Sequence, residues 1–298
     1  MDWTWWILSS AVFLALYDLA KKASVRGNAV LPVLLCSTCF GCAAFVSALA
    51  AAGRLADVLA ATDGRVAALA VAKSGIVATS WIFTFCALRT LPITIATPIR
   101  ASAPALVFVL ALVLYGEVPT ATQAVGMLAV FAGLWLFSWA GRYEGIDFLR
   151  NRAVWCAVAG ACCSAMSSLW DKYVFQVAEA PVESVQLFFQ LGLVAVYAGC
   201  LAVTVAWRRL HGDGGAPGAP FDWRWTIPLV GVLLAAADWL YFTGLAVPGV
   251  PISVASLMRR LSVGLTFVLG AAAFRETNLK RKALALGLLL AGTALLCL

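Results

Sequence analysis

Seven ionisable residues, Asp18, Lys73, Arg100, Asp171, Asp238, Arg259 and Arg260, fall within stretches of chain that otherwise carry almost no charge. A charged side chain in hydrocarbon costs about 2.5–3.5 kcal/mol even on the lenient insertion scale, so such groups pair with one another or face water. The types present indicate what a wet site could do. An arginine fork matches a carboxylate or phosphate at two points. An aspartate can hold that fork until a ligand arrives, or take up a coupling proton instead. Trp81, Tyr241 and Trp239 lie in the same stretches and can wall a small-molecule site. The expectation is a site for a small polar ligand, anionic or zwitterionic, with Arg100 and Arg259 foremost and Asp18, Asp171, Asp238, Lys73, Arg260, Trp81 and Tyr241 around them. The plain alternative is snorkelling to the interface or structural ion pairing, common for charges near helix ends. Lys21, Lys22 and Lys172 are read as interface anchors.

The elements that must position these residues follow from composition. Of 298 residues, 63% are hydrophobic and only 12% charged, and the mean hydropathy is +0.95. No water-soluble fold has such a balance. Apolar runs near 20 residues recur along the chain, the length needed to cross roughly 30 Å of hydrocarbon. They are too long and too uniformly apolar for barrel strands, so the fold class expected is an all-α membrane protein. Ten helices can be read: 4–22, 29–52, 65–88, 93–115, 120–140, 153–175, 183–207, 225–246, 252–274 and 280–298. The start of the chain lacks the basic flank of a signal peptide, so the first span is expected to stay. A formal charge of +7 does not point to nucleic acid, because the basic residues sit at span ends and inside spans.

The sequence repeats. A shift of 159 positions lays Leu91–Arg100 on Val250–Arg259, and brings Glu117 onto Glu276 and Ala132-Gly133 onto Ala291-Gly292. A shift of 158 sets Ser80-Trp81 on Asp238-Trp239, and a shift of 153 sets Leu16-Tyr17-Asp18 on Leu169-Trp170-Asp171. Apolar matches are cheap in any membrane protein, but Pro, Arg, Glu and Asp are scarce in spans and carry the weight. The reading is two five-helix units, residues 1–145 and 146–298. Five is odd, so the second unit enters from the opposite side, the inverted repeat of many secondary transporters. Arg100 lies about 10 Å into its helix at 1.5 Å per residue, in the same membrane half as Asp18. Their repeat partners Arg259 and Asp171 belong to the other half, with Asp238, Lys73 and Arg260 at similar depth. Two symmetry-related Asp/Arg clusters are therefore expected to flank a midplane cavity, each able to close one mouth. Pro98 and Pro104 should break the fourth helix around Arg100 and free backbone carbonyls.

A fourth helix that starts at a proline and ends in glutamate, Pro92 to Glu117 and again Pro251 to Glu276, together with ten short helices arranged five plus five, resembles the drug/metabolite transporter superfamily, EamA type. The strings Leu16–Lys22 and Pro98–Pro104 look like a bacterial subgroup. The resemblance implies transport and leaves the substrate open, since similar proteins move amino acids, nucleotide precursors, drugs, sugars or lipid-linked groups. It marks Glu117 and Glu276, which close helices beside short loops and read as structural.

Fourteen Lys/Arg lie by loops on the side holding the fifth-to-sixth connection, against Arg54, Arg65 and Lys172 on the other. The positive-inside rule then puts both termini outside the cytoplasm, whereas the resemblance implies termini inside. A bacterial inner membrane is the expected location. The nine cysteines, including Cys36, Cys39 and Cys42, read as small packing residues, and no metal or cofactor is expected. With His211 in a flexible loop and no catalytic set to assemble, no enzymatic activity is expected. Trp3, Trp5, Trp6, Trp223 and Trp225 read as interfacial belts. Gly126, Gly133, Gly287 and Gly292 permit close helix packing inside one protomer or in a homodimer. The functional expectation is alternating-access secondary transport of a small polar metabolite, coupled to protons or to a counter-substrate. A flippase for a lipid-linked sugar or phosphate, and a non-transporting receptor or scaffold, are the alternatives.

Overall fold

The structure, a computed structural model, describes residues 3–103, 120–142, 146–211, 220–247, 250, 252–274 and 278–296. Glu117, Glu276 and Pro104 lie outside them, and the described part of Lys172 excludes its side chain. Eleven helices and no strand occur among the described residues: α1 (Trp3–Val25), α2 (Val30–Ala51), α3 (Leu55–Ala61), α4 (Gly64–Thr90), α5 (Ile93–Ala101), α6 (Ala121–Arg142), α7 (Arg152–Lys172), α8 (Val182–His211), α9 (Thr226–Leu245), α10 (Ile252–Phe274) and α11 (Leu279–Leu296). Seven of these segments, α1, α2, α4, α6, α7, α8 and α9, are long and apolar enough to cross a membrane. The chain is a multi-pass helical membrane protein.

Local chemistry sets the helix ends. α2 stops at a glycine in the left-handed region, Gly53 at φ +69°, where its N–H reaches Ala50 O and that of Arg54 reaches Leu49 O. This double closure satisfies carbonyls the helix would leave bare. α4 begins on Asp63, whose carboxylate accepts from Val66 N at 2.7 Å, and α7 on Asn151, whose side chain accepts from Ala153 N at 2.9 Å. Such caps supply partners for the first-turn N–H groups.

Two elements, α3 and the end of the sixth helix, depart from the sequence expectation. The connection after α2 contains α3, which is too short for a periodic signal and is held by Val58 packing with Leu187 of α8. In the fourth helix, α5 is capped at Ser102, near the break expected around Arg100, and residues 104–115 of the expected span lie outside the described residues. Pro98 sits inside α5 and does not end it at once. The sixth helix passes into a π turn over Tyr173–Val177, a widening that swings Phe175 inward to pack on Phe242 at 4.9 Å.

The helices pack in reciprocal pairs. α1 lies on α9 and α4 on α7; α2 lies on α9 and α4 on α8; α1 meets α10 and α5 meets α7; α2 meets α8, α5 meets α10 and α6 meets α11. Two crossings are glycine contacts. A Cβ on Gly231 of α9 would stand 1.8 Å from Ser37 O of α2, and one on Gly292 of α11 would stand 2.7 Å from Gly126 O of α6. Both pairs of backbones touch because nothing larger than hydrogen intervenes. Gly126, Gly133 and Gly292 thus serve packing within the chain, while Gly287 faces open space.

Hydroxyl groups tie the bundle across helices. Ser10 Oγ donates to Ala237 O at 2.6 Å, Ser80 Oγ to Gly160 O at 2.7 Å and Ser74 Oγ to Phe189 O at 2.9 Å. The first two join the reciprocal pairs α1 with α9 and α4 with α7.

Candidate functional site

A cavity of about 190 Å³ opens among α1, α4, α5, α7, α8, α9 and α10. Helical spacing brings its walls together. From α4 come Lys73, Val77 and Trp81, four residues apart; from α7 Ser164, Ser167, Ser168 and Asp171; from α9 Leu234, Asp238 and Tyr241. α10 supplies Arg259, Arg260 and Ser262, α5 supplies Arg100, α1 supplies Tyr17 and α8 supplies Phe189. Of the residues expected from the sequence to form or wall the site, all line this cavity except Trp239 and Asp18, the latter lying behind Arg100 and binding it.

Three ion-pair groups organise the charges. Asp18, 1% exposed, uses one carboxylate oxygen for Lys21 Nζ at 2.5 Å and the other for Arg100 Nη2 at 2.6 Å. Lys21 is equally buried, with its ammonium 4.4 Å from the Tyr17 ring centre. Lys73 Nζ meets Asp171 Oδ1 at 2.5 Å. It also sits 3.9 Å from the Phe242 ring centre and 4.7 Å from that of Phe189. Arg259 Nη2 donates to Asp238 Oδ1 at 2.6 Å, and its guanidinium stacks on Tyr241 at 4.0 Å. Aromatic faces favour cations, so these rings replace part of the lost hydration.

The two repeat-matched arginines are used alike. Each donates through Nη2 to one aspartate oxygen, and each side chain stays about one-fifth exposed, 21% for Arg100 and 20% for Arg259. A guanidinium carries five N–H donors, so a single-point pair leaves most of each fork for another acceptor. Asp18 is shared by two cations, which leaves the Asp18, Lys21 and Arg100 group with a net positive charge. The lining offers hydroxyls as well: Ser164, Ser167, Ser168 and Ser262, with Tyr17 and Tyr241.

The pairing corrects the expected symmetry. The sequence repeat sets Asp171 beside Arg259 as Asp18 stands beside Arg100, but Arg259 turns to Asp238 and Asp171 takes Lys73. The cause lies in residues without a repeat counterpart. At the shift of 158, Lys73 falls on Gly231 and Asp238 falls on Ser80. Each unit therefore has a charge that the other lacks, and pairing is redistributed across units.

Lys21 and Lys22 are not interfacial anchors. Lys21 belongs to the Asp18 group, and Lys22, 7% exposed, donates to the carbonyls of Leu88 and Leu91 where α4 gives way to α5. Trp239 does not wall the cavity; it packs edge to face on Trp6 at 5.8 Å. Trp6 is to that extent a packing residue, whereas Trp5 and Trp225 are 62% and 84% exposed. Sequence reasoning passed over Tyr17, Phe189, Phe242 and the serines of α7. The serines had a readable signal, since 164, 167, 168 and 171 fall on one face of a helix ending at Asp171.

The comparisons with known proteins agree with this architecture. Residues 1–139 match the EamA-like transporter family. A solved structure described only as "Crystal structure of protein" shares the fold, with TM-score 0.63 and 19% identity over 97% of this chain and 95% of its own. No curated protein sequence matches the chain. Over its N-terminal part, residues 1–139, the chain is thus similar to the EamA-like transporter family.

Proposed function

We propose that the protein is a secondary transporter that carries a small anionic or zwitterionic metabolite through the central cavity by alternating access. The observation that carries this reading is the convergence of Arg100 and Arg259 on one cavity, each held by a single aspartate contact with its fork still partly exposed. An incoming carboxylate or phosphate can take two donors from such a fork without stripping away its aspartate. The cavity volume of about 190 Å³ suits a small metabolite.

The reciprocal packing of α1 with α9 and α4 with α7, and of α2 with α9 and α4 with α8, supports two inverted five-helix units, 1–145 and 146–298. In that arrangement the two units rock about the site and expose it to either side in turn. Near the C-terminal end of α1 the bundle is tied by Lys22 to the Leu88 and Leu91 carbonyls, and by Arg224 to the carbonyls of Ala23 and Arg26 at 2.7 and 2.8 Å. The Lys/Arg bias assigns that end to the cytoplasm. The conformation described is then the one closed toward the cytoplasm, in a bacterial inner membrane with both termini outside.

The test is uptake into proteoliposomes of a metabolite that stabilises the purified protein. A transporter shows saturable uptake that Arg100→Gln and Arg259→Gln remove. Proton coupling makes uptake follow an imposed pH step, whereas exchange requires substrate inside. Binding without uptake in any gradient would instead make the protein a receptor or scaffold.

A further inference from the structure

The molecule carries a second hollow, which shares no residue with the central cavity. It is an apolar groove of about 630 Å³ on the bundle surface between α2 and α8. Leu35 forms the α2 side, and Ala198, Leu201, Ala202, Val205 and Ala206 form the α8 side. Positions 198, 202 and 206 are one turn apart and end in alanine methyls, so they form a shallow floor running along the helix axis. Arg209, exposed, stands at the end of that floor, one turn beyond Val205 and Ala206. The adjoining Trp207 is 63% exposed.

The dimensions match one leaflet of a bilayer. From Ala198 to Arg209 the helix rises about 16 Å at 1.5 Å per residue, close to half of the roughly 30 Å hydrocarbon thickness. α8 is 30 residues long, enough to run from one interface into the headgroup layer opposite, where Trp and Arg side chains concentrate. An apolar groove inside hydrocarbon is filled by acyl chain, because no water enters to occupy it. A cation at its mouth then selects the headgroup by charge.

We propose that this groove is a binding site for an anionic phospholipid. One acyl chain lies along Ala198, Ala202 and Ala206 against Leu35, and the phosphate-bearing headgroup rests on Arg209. The site is independent of the transport assignment, since it uses none of the cavity residues.

Native mass spectrometry tests this on the full-length protein in mild detergent, offered equal amounts of dioleoyl phosphatidylglycerol and dioleoyl phosphatidylcholine. One favourable lysine or arginine contact at a membrane surface corresponds to about a fivefold preference, so the wild type should retain phosphatidylglycerol over phosphatidylcholine by about that factor. Arg209→Gln should equalise the two lipids. Ala202→Phe, which fills the floor, should lower retention of both. The proposal is overturned if the wild type shows no preference, if Arg209→Gln keeps it, or if Ala202→Phe leaves retention unchanged. It is equally overturned if Ala202→Phe turns a dimer into a monomer, which would make a second copy of the chain the occupant.

Discussion

Asp171 meets Lys73 at 2.5 Å on the cavity wall, while Arg259, its expected partner, lies 2.6 Å from Asp238. The Lys73 side chain is 3% exposed and that of Asp171 14%. Removing one member of a buried pair leaves an uncompensated charge and costs about 3–5 kcal/mol, whereas replacing both by apolar groups of similar volume is often neutral. Lys73→Met should therefore lower the thermal unfolding midpoint sharply, and Lys73→Met with Asp171→Leu should recover most of the loss. A double-mutant cycle in detergent reads the coupling directly. Equal and additive losses would show that the pair is not energetically joined.

The Asp18 group makes a different demand, because one carboxylate serves two cations. Asp18→Asn leaves Lys21 and Arg100 facing each other, with Lys21 fully buried. Its destabilisation should exceed that of Lys21→Met, which keeps the Asp18 pair with Arg100. Thermal unfolding of the two variants side by side checks the order.

Gly231 holds α2 and α9 together by lacking a side chain. Gly231→Ala forces a methyl into backbone atoms of Ser37, which cannot swing aside as a flexible side chain would. The helices must separate, and the variant should unfold at a clearly lower temperature. Gly287→Ala has nothing within 4 Å and replaces a poor helix former by a good one, so it should be neutral or mildly stabilising, by up to about 1 kcal/mol.

Trp81 and Trp239 occupy matched positions in the two units but do different things. Trp81 faces the cavity beside Phe189, while Trp239 faces Trp6. Trp81→Ala should weaken ligand-induced stabilisation more than it lowers the midpoint of the empty protein. Trp239→Ala should do the reverse. The comparison needs only unfolding curves with and without a stabilising metabolite.

How far the sequence foretold this site can be stated residue by residue. Arg100, Arg259, Arg260, Lys73, Asp171, Asp238, Trp81 and Tyr241 were legible because charge and amphipathic aromatics are costly or conspicuous inside apolar runs. Asp18 was legible as the partner of Arg100. What sequence did not reveal was who binds whom: an Arg259 side chain can reach more than one carboxylate, and the choice depends on how α9 and α10 are rotated. Lys22 was misread for a related reason. Its position at a span end suits an interface anchor, and only the packing of α1 against the α4–α5 junction buries it on free carbonyls. Phe175 lies in the π turn and packs on Phe242, a local change of pitch that a 3.6-residue pattern does not anticipate. α3 was missed because seven residues give too little periodicity.

The central claim is that Arg100 and Arg259 together recognise an anionic group in one cavity. A thermal-shift screen of the wild type, Arg100→Gln and Arg259→Gln against metabolites sorted by charge tests it most directly, since a ligand that binds the folded state raises apparent stability. Stabilisation of the wild type by anionic or zwitterionic compounds, absent in both variants, is the predicted result. Stabilisation only by neutral or cationic compounds, or stabilisation that survives in either variant, would contradict the account.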